Sequence, residues 1–187
     1  MNKRTLALNL EQYHEIINTM KRGFTGCRPN NRIATALVIE ANLGLRISDI
    51  LKLKLDDIVK DGERYRLDIT EQKTGKKRIF TVLPELYNYL KIYCLENKIQ
   101  PHEIIFPIGE RNVQKHLQIV CDYLDLKDIS THSFRKYFAT SIYVNNDYDI
   151  VTVQKILQHS TPDVTQRYIG IEPQKIENAL KKHINLI

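Results

Sequence analysis

The chain has 187 residues, 28 Lys plus Arg against 22 Asp plus Glu, and a formal charge of +6; that length holds one domain with a real core, and the basic balance favours a polyanionic partner. A hydrophobic content of 42% without low-complexity tracts excludes disorder, and no apolar run approaches a membrane span or follows the N-terminus as a signal peptide. Three scattered cysteines, Cys27, Cys94 and Cys121, form no CxxC pair and no zinc spacing, which fits reduced thiols in a cytosolic protein.

Asn9 and Gln12 form a capping pattern, and Leu10, Tyr13, Ile16, Ile17 and Met20 recur at helical spacing before Gly23 closes a first helix. After a turn-rich stretch, an apolar core helix runs from about Asn31 to Leu43 and stops at Gly44. Ser48 then caps a short helix through Ile50 to Leu53. From Arg64 the period changes to two: Tyr65, Leu67 and Ile69 alternate with Arg66, Asp68 and Thr70, as in a half-buried strand. Ile79, Phe80 and Val82 make the return strand of a hairpin, with Lys73 near its tip.

Pro84 opens a helix to about Glu96, with Leu86, Tyr89, Leu90 and Tyr93 on one face. A helix from Glu110 to Leu124 turns Val113, Leu117, Val120 and Leu124 inward. Ser130 or Thr131 caps another from His132 to about Asn145, with Phe134, Phe138 and Ile142 facing the core. Ile150 to Gln158 forms a short amphipathic helix. Thr161 caps the next, Pro162 takes its first position, Asp163 complements its dipole, and Tyr168 lies at its end. Pro173 begins a last helix striped by Ile176, Leu180 and Ile184, which docks on its own domain or on a neighbour. The class is mainly α with a small antiparallel β-hairpin (α+β), in a single domain over residues 1–187.

Six side chains suit one chemistry. Arg46 sits in a tight junction among Leu43, Leu45, Ile47 and Ile50; a sheltered guanidinium needs an anion, and Asp49 is the expected partner in the free protein. Lys73 at a hairpin tip is ordinarily a solvated side chain. His132 and Arg135, three apart, share one helix face at the edge of the core stripe. His159 ends one helix and Tyr168 the next; alone, each reads as packing. Together, two Arg, one Lys, two His and a Tyr fit a phosphodiester. Guanidinium groups fork onto phosphate oxygens, imidazoles move protons near neutral pH, and a phenol is a covalent nucleophile.

In order, these motifs resemble the catalytic domain of the tyrosine recombinases, the integrase family of phages and mobile elements. Gly44-Leu45-Arg46-Ile47-Ser48-Asp49 is similar to the family's first-arginine motif, with its acidic residue three places on. Lys73 in Gln72-Lys73-Thr74-Gly75 resembles the lysine of its β-hairpin, and His132-Ser133-Phe134-Arg135 matches its H-x-x-R. Leu157-Gln158-His159-Ser160 resembles L-G-H-S, and Tyr168 follows nine positions after His159, as in the family. Gln158 stands where glycine is usual, which implies a backbone without positive φ there. Family members commonly carry an N-terminal DNA-clamping domain ahead of this region; a chain that begins almost at the catalytic domain is expected to be either a piece of a longer protein or similar to the short fimbrial-switch members.

The resemblance implies the family fold, double-stranded DNA as partner, and site-specific recombination without a metal, ATP or other cofactor. It implies a bacterial or phage-encoded cytoplasmic protein, monomeric when free and tetrameric on DNA. By the resemblance, Tyr168 is the nucleophile that forms a 3′-phosphotyrosyl link. Arg46 and Arg135 clamp the phosphate, Lys73 protonates the leaving 5′-oxygen, and His132 accepts the tyrosine proton. His159 donates a hydrogen bond to the phosphate, and Asp49 orients Arg46 or His132 from behind. A type IB topoisomerase uses a similar set, and a non-catalytic DNA-binding relative is a further alternative.

Overall fold

A reciprocal pair of hydrogen bonds starts the first helix: the Asn9 side chain accepts from the Gln12 N–H at 2.8 Å, and the Gln12 side chain accepts from the Asn9 N–H at 3.1 Å. The computed structural model describes residues 5–73, 75, 77–170, 180, 181 and 183, without the side chains of Arg78 and Phe80. The expected last helix from Pro173 lies outside the described residues, apart from Leu180, Lys181 and His183, which are helical.

Helix α1 spans Leu10–Arg22 and α2 spans Asn31–Leu43, as their spacing indicates. Helix α2 ends because Gly44 adopts the left-handed conformation, φ +59. Helix α3, Ile47–Ile50, begins earlier than expected: Arg46, not Ser48, holds the N-cap position, in extended backbone. A 3₁₀ turn at Leu55–Asp57 leads into a three-stranded antiparallel sheet, β1 Ile58–Asp61, β2 Arg64–Thr70 and β3 Lys77–Val82, ordered β1-β2-β3. Strand β2 pairs on both sides, Leu67 facing Ile58 across one ladder and Phe80 across the other. Helices α4, Pro84–Glu96, and α5, Glu110–Tyr123, complete the frame. Helix α6 is Thr131–Asn145, α7 is Ile150–Leu157 and α8 is Pro162–Ile169.

The chain divides into two compact units, Met1–Phe138 and Ala139–Ile187. In the first, Ile16, Met20, Leu37, Leu43, Ile50, Leu67, Leu90, Phe106, Leu117 and Phe134 belong to one buried apolar cluster. The second holds the end of α6 with α7 and α8. Asp149 caps α7 by accepting from the Val151 and Thr152 amides; the Thr152 hydroxyl, first, and then these amides lower the pKa of its carboxyl. Thr161 caps α8 through the Val164 N–H, with Pro162 next, where no amide proton is needed. Among the described residues, no helix is long and apolar enough to cross a membrane.

Gln158 corrects the sequence reading. It is left-handed, φ +55 and ψ +37, as the last turn of α7 closes through Gln158 N–H to Lys155 and His159 N–H to Gln154. The turn does need a positive φ, and glutamine adopts it at a cost of about 1–2 kcal/mol that glycine avoids.

Candidate active site

Arg46 is positioned by the junction between α2 and α3. Its Nη1 donates to Glu71 Oε2 at 2.7 Å; the Arg46 side chain is 22% exposed and that of Glu71 only 2%. Asp49, expected to be this partner, is buried, but its Oδ1 accepts from the backbone N–H of Gln72 at 2.8 Å. It therefore anchors the base of the β2–β3 hairpin. Glu71 wins because it continues the inward face of β2, after Leu67 and Ile69, and ends beside Arg46 with its carboxylate already desolvated. A buried carboxylate without a cation is strongly penalised, so each partner needs the other. Lys73 follows two residues later in the turn and is exposed.

Helix α6 supplies the next pair. Arg135 lies deeper than the edge of the core stripe, only 3% exposed, and Nη1 donates to the Gly44 carbonyl at 2.7 Å. This bond ties α6 to the turn that precedes Arg46. Three residues earlier, His132 stays accessible on the outer side of the helix. Partial burial, then Arg135, and more weakly Lys73 and Arg46, lower its pKa from 6.5, against an opposing pull from Glu110. Three of the predicted cations thus act on one imidazole, which is left neutral at pH 7 and able to accept a proton.

Glu40, on the inner face of α2, also belongs to this neighbourhood. It is 1% exposed, and one carboxyl oxygen has no hydrogen-bond partner. Burial drives its pKa well above 4.5; Glu110 adds to the rise, while Arg135 and the Ile47 N–H oppose it. A raised acid favours the protonated form in the fold. The associated stability is complete below about pH 4.5 and is lost as pH rises toward the folded-state pKa. Glu40→Gln, neutral at every pH, should therefore flatten the decline of the urea midpoint between about pH 5 and pH 8, raising the value at the alkaline end. Equal pH slopes for parent and variant would show that Glu40 is ionised in the fold.

The second unit holds the other two predicted residues. The turn after α7 and the last turn of α8 bring the His159 and Tyr168 rings into an edge-to-face contact, centroids 5.2 Å apart at 79°. His159 Nδ1 lies 3.0 Å from Thr165 Oγ1, and the hydroxyl in turn donates to the Thr161 carbonyl at 3.4 Å. The His159 contact is met either by Nδ1–H donating to the hydroxyl or by the hydroxyl donating to an unprotonated Nδ1 instead, according to the ring tautomer. In the second arrangement the neutral ring carries its proton on Nε2, where it can be donated.

The structure thus groups Arg46, Lys73, His132 and Arg135 in the first unit and His159 and Tyr168 in the second. Sequence reading missed Glu71 and Glu40. Both were signalled by periodicity: Glu71 shares the parity of Tyr65, Leu67 and Ile69, and Glu40 falls on the helical stripe of Ile33 and Leu37.

The model of the phage integrase family matches residues 7–175. The chain is 33% identical over 159 residues to a probable integrase/recombinase, YoeC, of Bacillus subtilis strain 168, covering 81% of this chain and 84% of that protein. It is 26% identical to tyrosine recombinase XerC of Caldanaerobacter subterraneus subsp. tengcongensis, over 97% of this chain but 52% of that one, so it spans about half of XerC. Among solved structures, the XerH site-specific recombinase in a post-cleavage complex with difH has a TM-score of 0.69 at 20% identity, over 96% of this chain and 53% of that one. The catalytic domain of bacteriophage HP1 integrase has a TM-score of 0.65 at 20% identity, over 96% of both chains. These structures share the fold, mainly helical with a small antiparallel sheet. A family match along nearly the whole sequence, with a relative one-third identical over most of both lengths, makes the chain a member of the phage integrase family, the tyrosine recombinases.

Proposed function

We propose that this chain cuts and rejoins double-stranded DNA at specific sites through a 3′-phosphotyrosyl intermediate. The observation that carries the reading is that one turn gathers the cations: Arg135 Nη1 donates to the Gly44 carbonyl two residues before Arg46, and Asp49 accepts from the Gln72 N–H next to Lys73, with His132 one helical turn before Arg135. Such a cluster provides cations for the non-bridging oxygens of a phosphodiester and a base beside them. Tyr168 Oη attacks phosphorus and passes its proton to His132, while the P–O5′ bond breaks and Lys73 gives a proton to the leaving oxygen. Arg46 and Arg135 hold the charge of the pentacoordinate transition state, and His159 donates a hydrogen bond to the phosphate. Asp49 acts from behind by holding the hairpin that carries Lys73. Attack by a 5′-hydroxyl of another strand on the phosphotyrosine completes recombination, and the bond energy is conserved without ATP.

The working assembly we propose is a tetramer on DNA formed from free monomers, in the cytoplasm of a bacterium. Residues 1–187 are taken as its catalytic domain, with 174–187 as the segment that docks on a neighbour. Phosphate contacts from the excess Lys and Arg make affinity fall steeply with salt.

The test is covalent capture. The protein is mixed with sheared DNA of its source, quenched in detergent, and any attached DNA is recovered and sequenced. An adduct clustered at one sequence supports the reading; salt-sensitive binding with no adduct would reduce the chain to a binding module. In the same assay Arg46→Lys should cut about 100-fold more slowly, because a point charge does not replace a guanidinium fork and does not satisfy Glu71 and phosphate together. Cleavage within about threefold of the parent would remove Arg46 from the clamp.

A further inference from the structure

The residues before Lys73 are fastened to the residues around Arg46 by a short ladder of contacts. Positions 46, 49 and 52 meet the hairpin base in turn: Arg46 pairs with Glu71 at 2.7 Å, Asp49 accepts from the Gln72 N–H at 2.8 Å, and Lys52 Nζ donates to Gln72 Oε1 at 2.5 Å. The ladder stops one residue short of Lys73, which stays exposed in the turn. At its inner end, Glu71 is 2% exposed, while Arg46 keeps 22% of its side chain open to solvent. Among the described residues, Nη1 is the only Arg46 nitrogen with a hydrogen-bond partner. One edge of the guanidinium is committed to the protein, and the edge formed by Nε and Nη2 is not.

We propose that Glu71 is a positioning residue for strand cleavage: its carboxylate fixes Arg46 through Nη1, so that the opposite edge is presented to the scissile phosphate. The same contact sets the hairpin register from which Lys73 reaches the leaving oxygen. This rests on the recombinase reading above. An arginine has five donors in one plane, so holding one edge orients the other without using it up. The buried carboxylate also holds the guanidinium in place before DNA arrives, so less side-chain freedom is lost at the moment of reaction. Glu71 is not a catalytic residue, because nothing requires it to touch DNA.

The test compares Glu71→Ala and Glu71→Asp with the parent on the duplex recovered by covalent capture, measuring single-turnover cleavage and, separately, DNA affinity. Glu71→Ala should cleave about 30-fold more slowly while the dissociation constant stays within about threefold, and Glu71→Asp should recover part of the rate. The discriminating substrate carries a methylphosphonate at the scissile position. It lacks the non-bridging negative charge that Arg46 is positioned to meet, so the Glu71→Ala defect should shrink to within about threefold there. A variant that is merely misfolded fails on both substrates, and that result overturns the proposal, as does faster cleavage by Glu71→Ala on the natural phosphate, which would make Glu71 a brake. Arg46 guanidinium ¹⁵N–¹H spectra of the DNA-free protein give an independent reading. Hindered rotation in the parent and its loss in Glu71→Ala are expected, and unchanged spectra refute the positioning role. A parent that forms no adduct with any DNA instead refutes the recombinase reading, and the spectra still decide whether Glu71 orients Arg46.

Discussion

Tyr168→Phe should form no covalent adduct with DNA, at least about 1,000-fold below the parent, while DNA affinity should stay within about twofold. The substitution removes only the phenol oxygen. The ring that meets His159 edge-to-face at 5.2 Å remains, and so do the Thr161 cap and the left-handed Gly170 that bound α8. Phosphate contacts elsewhere on this basic chain are untouched, so the salt dependence of binding should keep its slope. The experiment is informative because the chain has 10 tyrosines, and Tyr143 and Tyr148 lie in the same unit. A detergent-resistant adduct that survives in Tyr168→Phe would move the nucleophile to one of them.

Gly44→Ala should unfold the chain more readily than any conservative change in the catalytic set, losing about 3 kcal/mol. Two effects add at this residue. Its φ of +59 is strained for alanine, and a Cβ would overlap the edge of the Phe138 ring. The ring is part of α6, so relief by moving it disturbs the helix that carries His132 and Arg135. The Gly44 carbonyl is also the acceptor for Arg135 Nη1, and a shift of the turn loosens that guanidinium as well. Urea denaturation reads the first effect and adduct formation at low temperature the second. A midpoint equal to the parent's would mean that α2 can end in another way.

Much of this was legible where one local signal dominates. Pro84 and Pro162 start α4 and α8 because each fixes φ and needs no amide partner, and alternation from Tyr65 to Thr70 marks β2. Strand β1 was missed because only Ile58 of its four residues is buried, although Asp61-Gly62 carries the turn signal for the β1–β2 hairpin. The six candidate side chains are picked out by their types and order. What could not be read was their partnership. Arg46 has Asp49 three residues away in sequence, and local spacing favours that pair. Glu71, 25 residues on, takes the place because strand pairing delivers it there already buried. Long-range contacts of this kind depend on the fold, and no helical or strand period reports them.

The boundary between the two compact units has no loop. It falls between Phe138 and Ala139, inside the 15-residue helix α6, about two turns after its start. Most multi-unit chains offer a protease an extended, polar segment between their parts; here the same bond is protected by helical hydrogen bonds on both sides. Limited digestion should spare it until α6 itself frays. For the same reason the two units are poor candidates for separate expression: any cut there strands donors and acceptors in mid-helix and splits the His132–Arg135 turn from the length of helix that stabilises it.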